Sequence, residues 1–113
     1  MKVSFQSRDP DGLRMRESTL RRVHFVLRRL NWLVPCATVQ LSDINGPGGG
    51  VDKRCQVALR TDGAGLVVVA AVASDWRTAL DNALARAARF LMHLWRRGSD
   101  SRRMRQRLLT HER

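Results

Sequence analysis

Arginine is the residue through which this chain can do most of its chemistry. Of its 21 Lys and Arg residues only Lys2 and Lys53 are lysines, so the other nineteen carry guanidinium groups. A guanidinium is a planar fork of donors that grips phosphate oxygens in pairs and stacks on flat rings. Against ten acidic residues these cations leave a net charge of +11 and a sequence pI near 11.7. A GC-rich genome would favour the same arginine bias, so placement is more informative than number. Residues 13–30 hold six arginines against Glu17, and residues 96–113 hold seven against Asp100 and Glu112, leaving +5 in each segment. A polyanion lying across such segments displaces counterions from several phosphates at once. Binding of that kind is tight at low salt and steeply salt-dependent.

Other chemistries find little footing. The stretch Gly46-Pro47-Gly48-Gly49-Gly50-Val51-Asp52-Lys53-Arg54 invites a phosphate-cradle reading. It has no Ser or Thr after Lys53, however, and it lies between two predicted strands rather than between a strand and a helix. It reads instead as a hairpin loop that presents Lys53 and Arg54 to phosphate. His24, His93 and His111 are scattered, with no partner at metal-ligand spacing. Cys36 and Cys55 make neither a CxxC motif nor a four-ligand set, and they are expected to be reduced thiols in a core. Asp75 and Asp81 read as a helix cap and an intrahelical partner for arginine. No enzyme activity, metal, cofactor or small-molecule substrate is expected. No apolar run approaches the roughly 18 residues of a membrane span, and Met1–Asp9 has no apolar signal core. The expectation is a soluble, cytoplasmic protein drawn to polyanions.

The elements that position these groups follow from periodicity. At 113 residues the chain is one domain. Residues 1–7 alternate as a half-buried strand, and residues 8–12 turn. From Leu13 to Leu33 the period is 3.6, with Leu13, Leu20, Val23, Val26, Leu27, Leu30 and Leu33 on one face. Arg14, Arg21, Arg22, Arg28 and Arg29 take the other face, together with Phe25 and Trp32. Phe25 is free to stack on an unpaired base, whereas Trp32 is expected to fold under the helix end into the core. Pro35 stops the helix. Two alternating strands follow, Ala37–Ile44 and Arg54–Thr61. Leu66–Ala73 is a nearly continuous apolar run and reads as a strand buried on both faces or central in a sheet. Ser74-Asp75 caps a second helix from Trp76 to Arg97, with Leu80, Ala83, Leu84, Ala87, Leu91, Leu94 and Trp95 as its apolar stripe. Gly98 is expected to end it, leaving 98–113 as a basic, flexible tail behind a domain of residues 1–97. The predicted class is α+β, in the order β-α-β-β-β-α, with two helices packed on one face of a four-stranded sheet.

That order, and particular residues within it, resemble the ribosome hibernation-promoting factor and ribosome-associated inhibitor family in its short form. Members open the second helix with Asp, follow with Ala-hydrophobic-Asp, and then place a cation, an Arg and a hydrophobic residue at later steps. Asp75, Ala79-Leu80-Asp81, Arg86, Arg89 and Leu91 stand at those steps. Leu41-Ser42-Asp43-Ile44-Asn45-Gly46-Pro47 with Val51-Asp52-Lys53-Arg54-Cys55 is similar to the family's long-loop branch. The resemblance implies a fold similar to double-stranded RNA-binding domains. It also implies docking on small-subunit ribosomal RNA, in the channel of messenger RNA and of A- and P-site transfer RNA, with inhibition by occupancy. The family often has Tyr at Arg77 and lysines at Met92, Leu94 and Trp95, and Val68 and Val72 replace commonly polar strand positions. These changes would either enlarge the core or expose adhesive surface. Long members continue into a second domain that pairs ribosomes, so dimerisation here would need a separate factor.

The candidate RNA contacts are Arg21, Arg22, Arg28 and Arg29 on the first helix and Arg86, Arg89, His93, Arg96 and Arg97 on the second. Lys53 and Arg54 are added from the loop. The alternatives are a general RNA- or DNA-binding module that uses the same face, and a regulator that binds an acidic protein partner through the same arginines.

Overall fold

The computed structural model describes residues 1–44 and 52–111, the side chains of residues 98–111 excepted. The glycine-rich stretch 45–51 and the tail's side chains, of which flexibility was expected, lie outside the described residues. The chain forms β1 (Lys2–Ser7), α1 (Pro10–Leu13), α2 (Arg16–Val26), a 3-10 turn (Asn31–Leu33), β2 (Cys36–Asp43), β3 (Lys53–Thr61), β4 (Gly65–Ala73) and α3 (Trp76–His111). The sheet order is β1-β2-β3-β4, with β1 parallel to β2 and the other neighbours antiparallel. The class is α+β, as the sequence predicts.

Strand alternation sorts the sheet into two faces. Phe5, Val39, Val57 and Val69 lie in one register row across the four strands, with Val39 and Val57 fully buried beneath the helices. The neighbouring row, Ser4, Thr38, Ala58 and Val68, belongs to the open face. The β3–β4 hairpin turns through Gly63 and Gly65, whose φ angles of 98° and 71° favour glycine. β4 is an edge strand, not a central or doubly buried one, and Val68 is 51% exposed. Three sequential antiparallel strands extend the sheet away from β1, so the last of them has nothing beyond it. Leu66, Val68 and Val72 alternate onto the open face of the sheet, so they lie exposed rather than enlarging the core.

The first helical segment is broken where one helix was expected. α1 ends at Leu13 and α2 begins at Arg16, so the helical phase resets between them. Leu13 is consequently exposed, while Thr19 is fully buried beside Val23 and Leu27. Gly12 is buried, and a Cβ there would collide with the Ser7 hydroxyl. That hydroxyl accepts the Asp9 backbone N–H at 3.3 Å, so the close approach fixes the first turn against β1.

α3 is capped by Asp75, whose carboxylate accepts the Thr78 N–H at 2.7 Å and the Thr78 hydroxyl at 2.9 Å. Those bonds favour the charged form and hold the Asp75 carboxyl below its ordinary range. Trp76, Ala79, Leu80, Ala83, Leu84, Ala87 and Leu91 form the buried stripe. The stripe ends there: Leu94 is half-buried and Trp95 exposed, because the helix has passed the sheet. The helix also runs on through Gly98 to His111. A glycine inside a helix costs only about 1 kcal/mol relative to alanine, and neighbouring arginines are good helix formers.

Candidate nucleic-acid interface

α2 and α3 lie side by side on the same face of the sheet. Their contact is tied by Arg22, whose Nε donates to Asp81 Oδ1 at 2.9 Å. Both side chains keep more than a third of their surface in water, so the pair contributes little net energy. It does fix which residues of the two helices face each other. Their outer surfaces are contiguous and carry exposed Arg21 from α2, exposed Arg28 and Arg29 from the turn that follows it, and exposed Arg77, Arg89, His93, Arg96 and Arg97 from α3.

The predicted residues divide by what already occupies them. Arg28 donates through Nη1 to the Phe25 carbonyl at 2.7 Å, and its guanidinium lies 4.3 Å from the Phe25 ring centre. Arg22 stands 5.7 Å from the same ring. Arg86 donates to the Ala70 carbonyl at 2.8 Å, closing part of the β4 edge. Lys53 is held at 2.5 Å from Asp43 Oδ2, 3.7 Å from Asp52 Oδ1 and 5.0 Å from the Trp76 ring centre. Its hydrogen bond to Asp43 raises the Lys53 pKa from its ordinary value. Asp52 is fully buried, and among the described residues its carboxylate oxygens have no hydrogen bond, so the Lys53 ammonium at ion-pair distance compensates its charge. Arg54 sits in register with Ser42 and Val72 on the open face, opposite the helices. Arg54 thus does not share a surface with the helical arginines, whereas Lys53 lies on the helix side of the sheet beside Trp76.

Two aromatics take unexpected or previously open positions. Phe25 is 56% exposed amid Arg22 and Arg28. Trp32 is also 56% exposed, not tucked into the core, and its indole N–H donates to the Arg29 carbonyl at 3.2 Å. α2 ends at Val26, so Trp32 sits in the 3-10 turn Asn31–Leu33 and has no helix end to fold under. Cys36 is exposed, whereas Cys55 is buried, and burial pushes the Cys55 thiol up to about 12.

Between α2 and α3 opens a cleft of about 390 Å³ lined by Met15, Ser18, Arg21, Phe25, Arg77 and Leu80, with Arg22 at its side. Arg77 and Ser18 were not among the predicted contacts. Nothing in the local pattern of α3 marks Arg77, since only the packing of the helices brings its first turn beside α2. Among the described residues no group of His, Cys, Asp and Glu is arranged to hold a metal ion, and no helix is long and apolar enough to cross a membrane.

No family model and no curated protein matches this sequence. Solved structures do match. A ribosomal subunit interface protein from Coxiella burnetii superposes with a TM-score of 0.66 at 14% identity, over 83% of this chain and 97% of that one. The N-terminal domain of Protein Y from Thermus thermophilus superposes with a TM-score of 0.56 at 22% identity, over 83% of this chain and 99% of that one. This chain has their fold. The likeness spans nearly the whole of both solved chains, so the sheet and the helices packed on it are common to all three.

Proposed function

We propose that this chain is a ribosome-binding translation inhibitor of the hibernation-promoting factor kind. Its α2–α3 face docks on small-subunit ribosomal RNA and occludes the messenger and transfer RNA sites. The observation that carries this reading is a contiguous arginine surface on a fold shared with a ribosomal subunit interface protein. The residues quoted above for the family, from Asp75 to Leu91, support it independently of the fold. Inhibition of this kind needs no bond-making. Affinity comes from phosphate neutralisation, and selectivity from fitting folded RNA. The site of action is the cytoplasm.

Co-sedimentation with separated ribosomal subunits, at low and moderate salt and beside bulk RNA as competitor, tests the reading. Retention on the small subunit alone, at moderate salt and against competitor, is the expected result. Equal binding to both subunits that collapses with salt or competitor would leave a general RNA-binding module. Binding that survives nuclease treatment of the partner would point to an acidic protein instead.

A further inference from the structure

We propose that the cleft between α2 and α3 takes an unpaired nucleobase of the bound RNA, an inference that rests on the RNA-binding reading and refines it. The cleft's composition is the reason. Its floor is apolar, formed by Leu80, which is 2% exposed, and by half-buried Met15. One wall is the Phe25 ring; Arg22, which also lines the cleft, stands 5.7 Å from its centre, and Arg28, outside the lining, lies over the ring at 4.3 Å. On the rim stand Arg21 and Arg77, exposed side chains that make neither hydrogen bond nor ion pair among the described residues. Arg22, by contrast, is engaged with Asp81.

Each simpler occupant leaves part of this arrangement idle. A phosphate alone would be satisfied by the rim and would rest on an apolar floor that returns nothing for its lost hydration. An aliphatic group would fill the floor and leave the rim cations facing it. A flat heteroaromatic base with a phosphate on each side uses both parts. The base stacks against the Phe25 ring, and Arg21 and Arg77 meet the flanking phosphates. The volume of about 390 Å³ falls at the small end of the ~300–1,000 Å³ typical of ligand sites. A paired base cannot enter, because both its faces are stacked in the helix and side chains reach A-form base edges poorly. The cleft therefore selects single-stranded or bulged RNA within the broader footprint of the basic face.

The test uses the full chain and two oligoribonucleotides of equal length. One carries 2-aminopurine in an unpaired segment, and the other is fully duplex. The wild-type protein is expected to change the 2-aminopurine fluorescence on binding. Phe25→Ala is expected to abolish that change and to weaken binding of the unpaired RNA by about five- to 150-fold, the range associated with loss of one base–aromatic stack. Duplex affinity should stay as in wild type, and Phe25→Leu, which keeps apolar bulk without the ring, should fall between. Phe25 is more than half exposed, so these variants should fold, and a thermal melt checks it. Unchanged fluorescence and affinity in Phe25→Ala would overturn the base site while leaving RNA binding intact. Equal weakening on both RNAs would overturn it too, by making Phe25 a support for α2. A wild-type protein that retains neither RNA would overturn the proposed function itself, and the base site with it.

Discussion

Individual residues here are governed by whether burial leaves them a partner. Thr19 is fully buried, and its hydroxyl has no hydrogen-bond partner among the described residues. An unpaired buried hydroxyl costs free energy that an apolar group of the same shape does not. Thr19→Val should therefore raise stability by about 1 kcal/mol in a denaturant titration; a loss of stability would mean that the hydroxyl finds a partner in solution. The two thiols separate on the same ground. At pH 8 a thiol reagent should label exposed Cys36 promptly and reach buried Cys55 only when the chain unfolds. Because the folded Cys55 thiol titrates near 12 rather than 9.0, the unfolded chain loses its proton first as pH rises. Its contribution to stability is thus whole below pH 9 and declines above it. Lys53, with its raised pKa, also loses its contribution as pH rises. Comparing Cys55→Ala with wild type isolates the thiol's share: the alkaline decline should be shallower in the variant, whatever the cavity costs at neutral pH.

At the scale of elements, packing geometry outweighs surface ion pairs. The Arg22–Asp81 bridge sets the facing of α2 and α3, yet both partners are partly in water. A double-mutant cycle with Arg22→Gln and Asp81→Asn should give a coupling of only about 0.2–1 kcal/mol. Leu84→Ala, which empties a fully buried position between α3 and the sheet, should cost about 2–5 kcal/mol. A coupling energy that matched the cavity cost would show the helix pair to be held electrostatically. Arg86 is an element-scale residue as well. Its bond to the Ala70 carbonyl makes it part of the β4 edge, so a charge reversal there mixes loss of an RNA contact with damage to the sheet. Arg89, which among the described residues makes just a long 3.4 Å bond to the Ala85 carbonyl of its own helix, is the cleaner probe.

For the whole molecule the governing quantity is charge, and it acts through salt. With a net charge of +11, log affinity for RNA should fall linearly with log salt concentration. Arg89→Glu with Arg96→Glu should weaken binding across RNA sequences and reduce the slope by about one per lost phosphate contact. Filter-binding isotherms at four salt concentrations would read this directly, and an unchanged slope would remove α3 from the interface. The other side of the sheet has a different character. Leu66, Val68 and Val72 line the outer face of β4, while Arg54 and Arg60 stand beside them on β3. The molecule thus keeps its helical cations on one surface and its exposed aliphatic strip on the other.

Much of this was legible in the sequence because it is local. Alternation marks β1, β2 and β3, a nearly continuous apolar run marks β4, the 3.6 period marks the helices, and Asp75 declares the start of α3 through its own capping bonds. The sorting of arginines from leucines on each helix is likewise a matter of spacing, as is the +5 carried by each basic segment. Wherever the outcome depended on what lies across a gap in the chain, tertiary structure decided. A reset of phase after Leu13 turned that residue out and Thr19 in, and an early end to α2 left Trp32 in solvent. Sheet order made the most apolar strand an edge, and register put Arg54 opposite the helices. Lys53 is absorbed by its neighbour Asp52 and by Asp43 and Trp76, and the last two meet it only because β2, β3 and α3 converge there. The cleft that gathers Phe25, Arg21 and Arg77 is the clearest case. Its walls come from helices whose facing residues lie more than fifty positions apart, and periodicity within either one carries no information about the other.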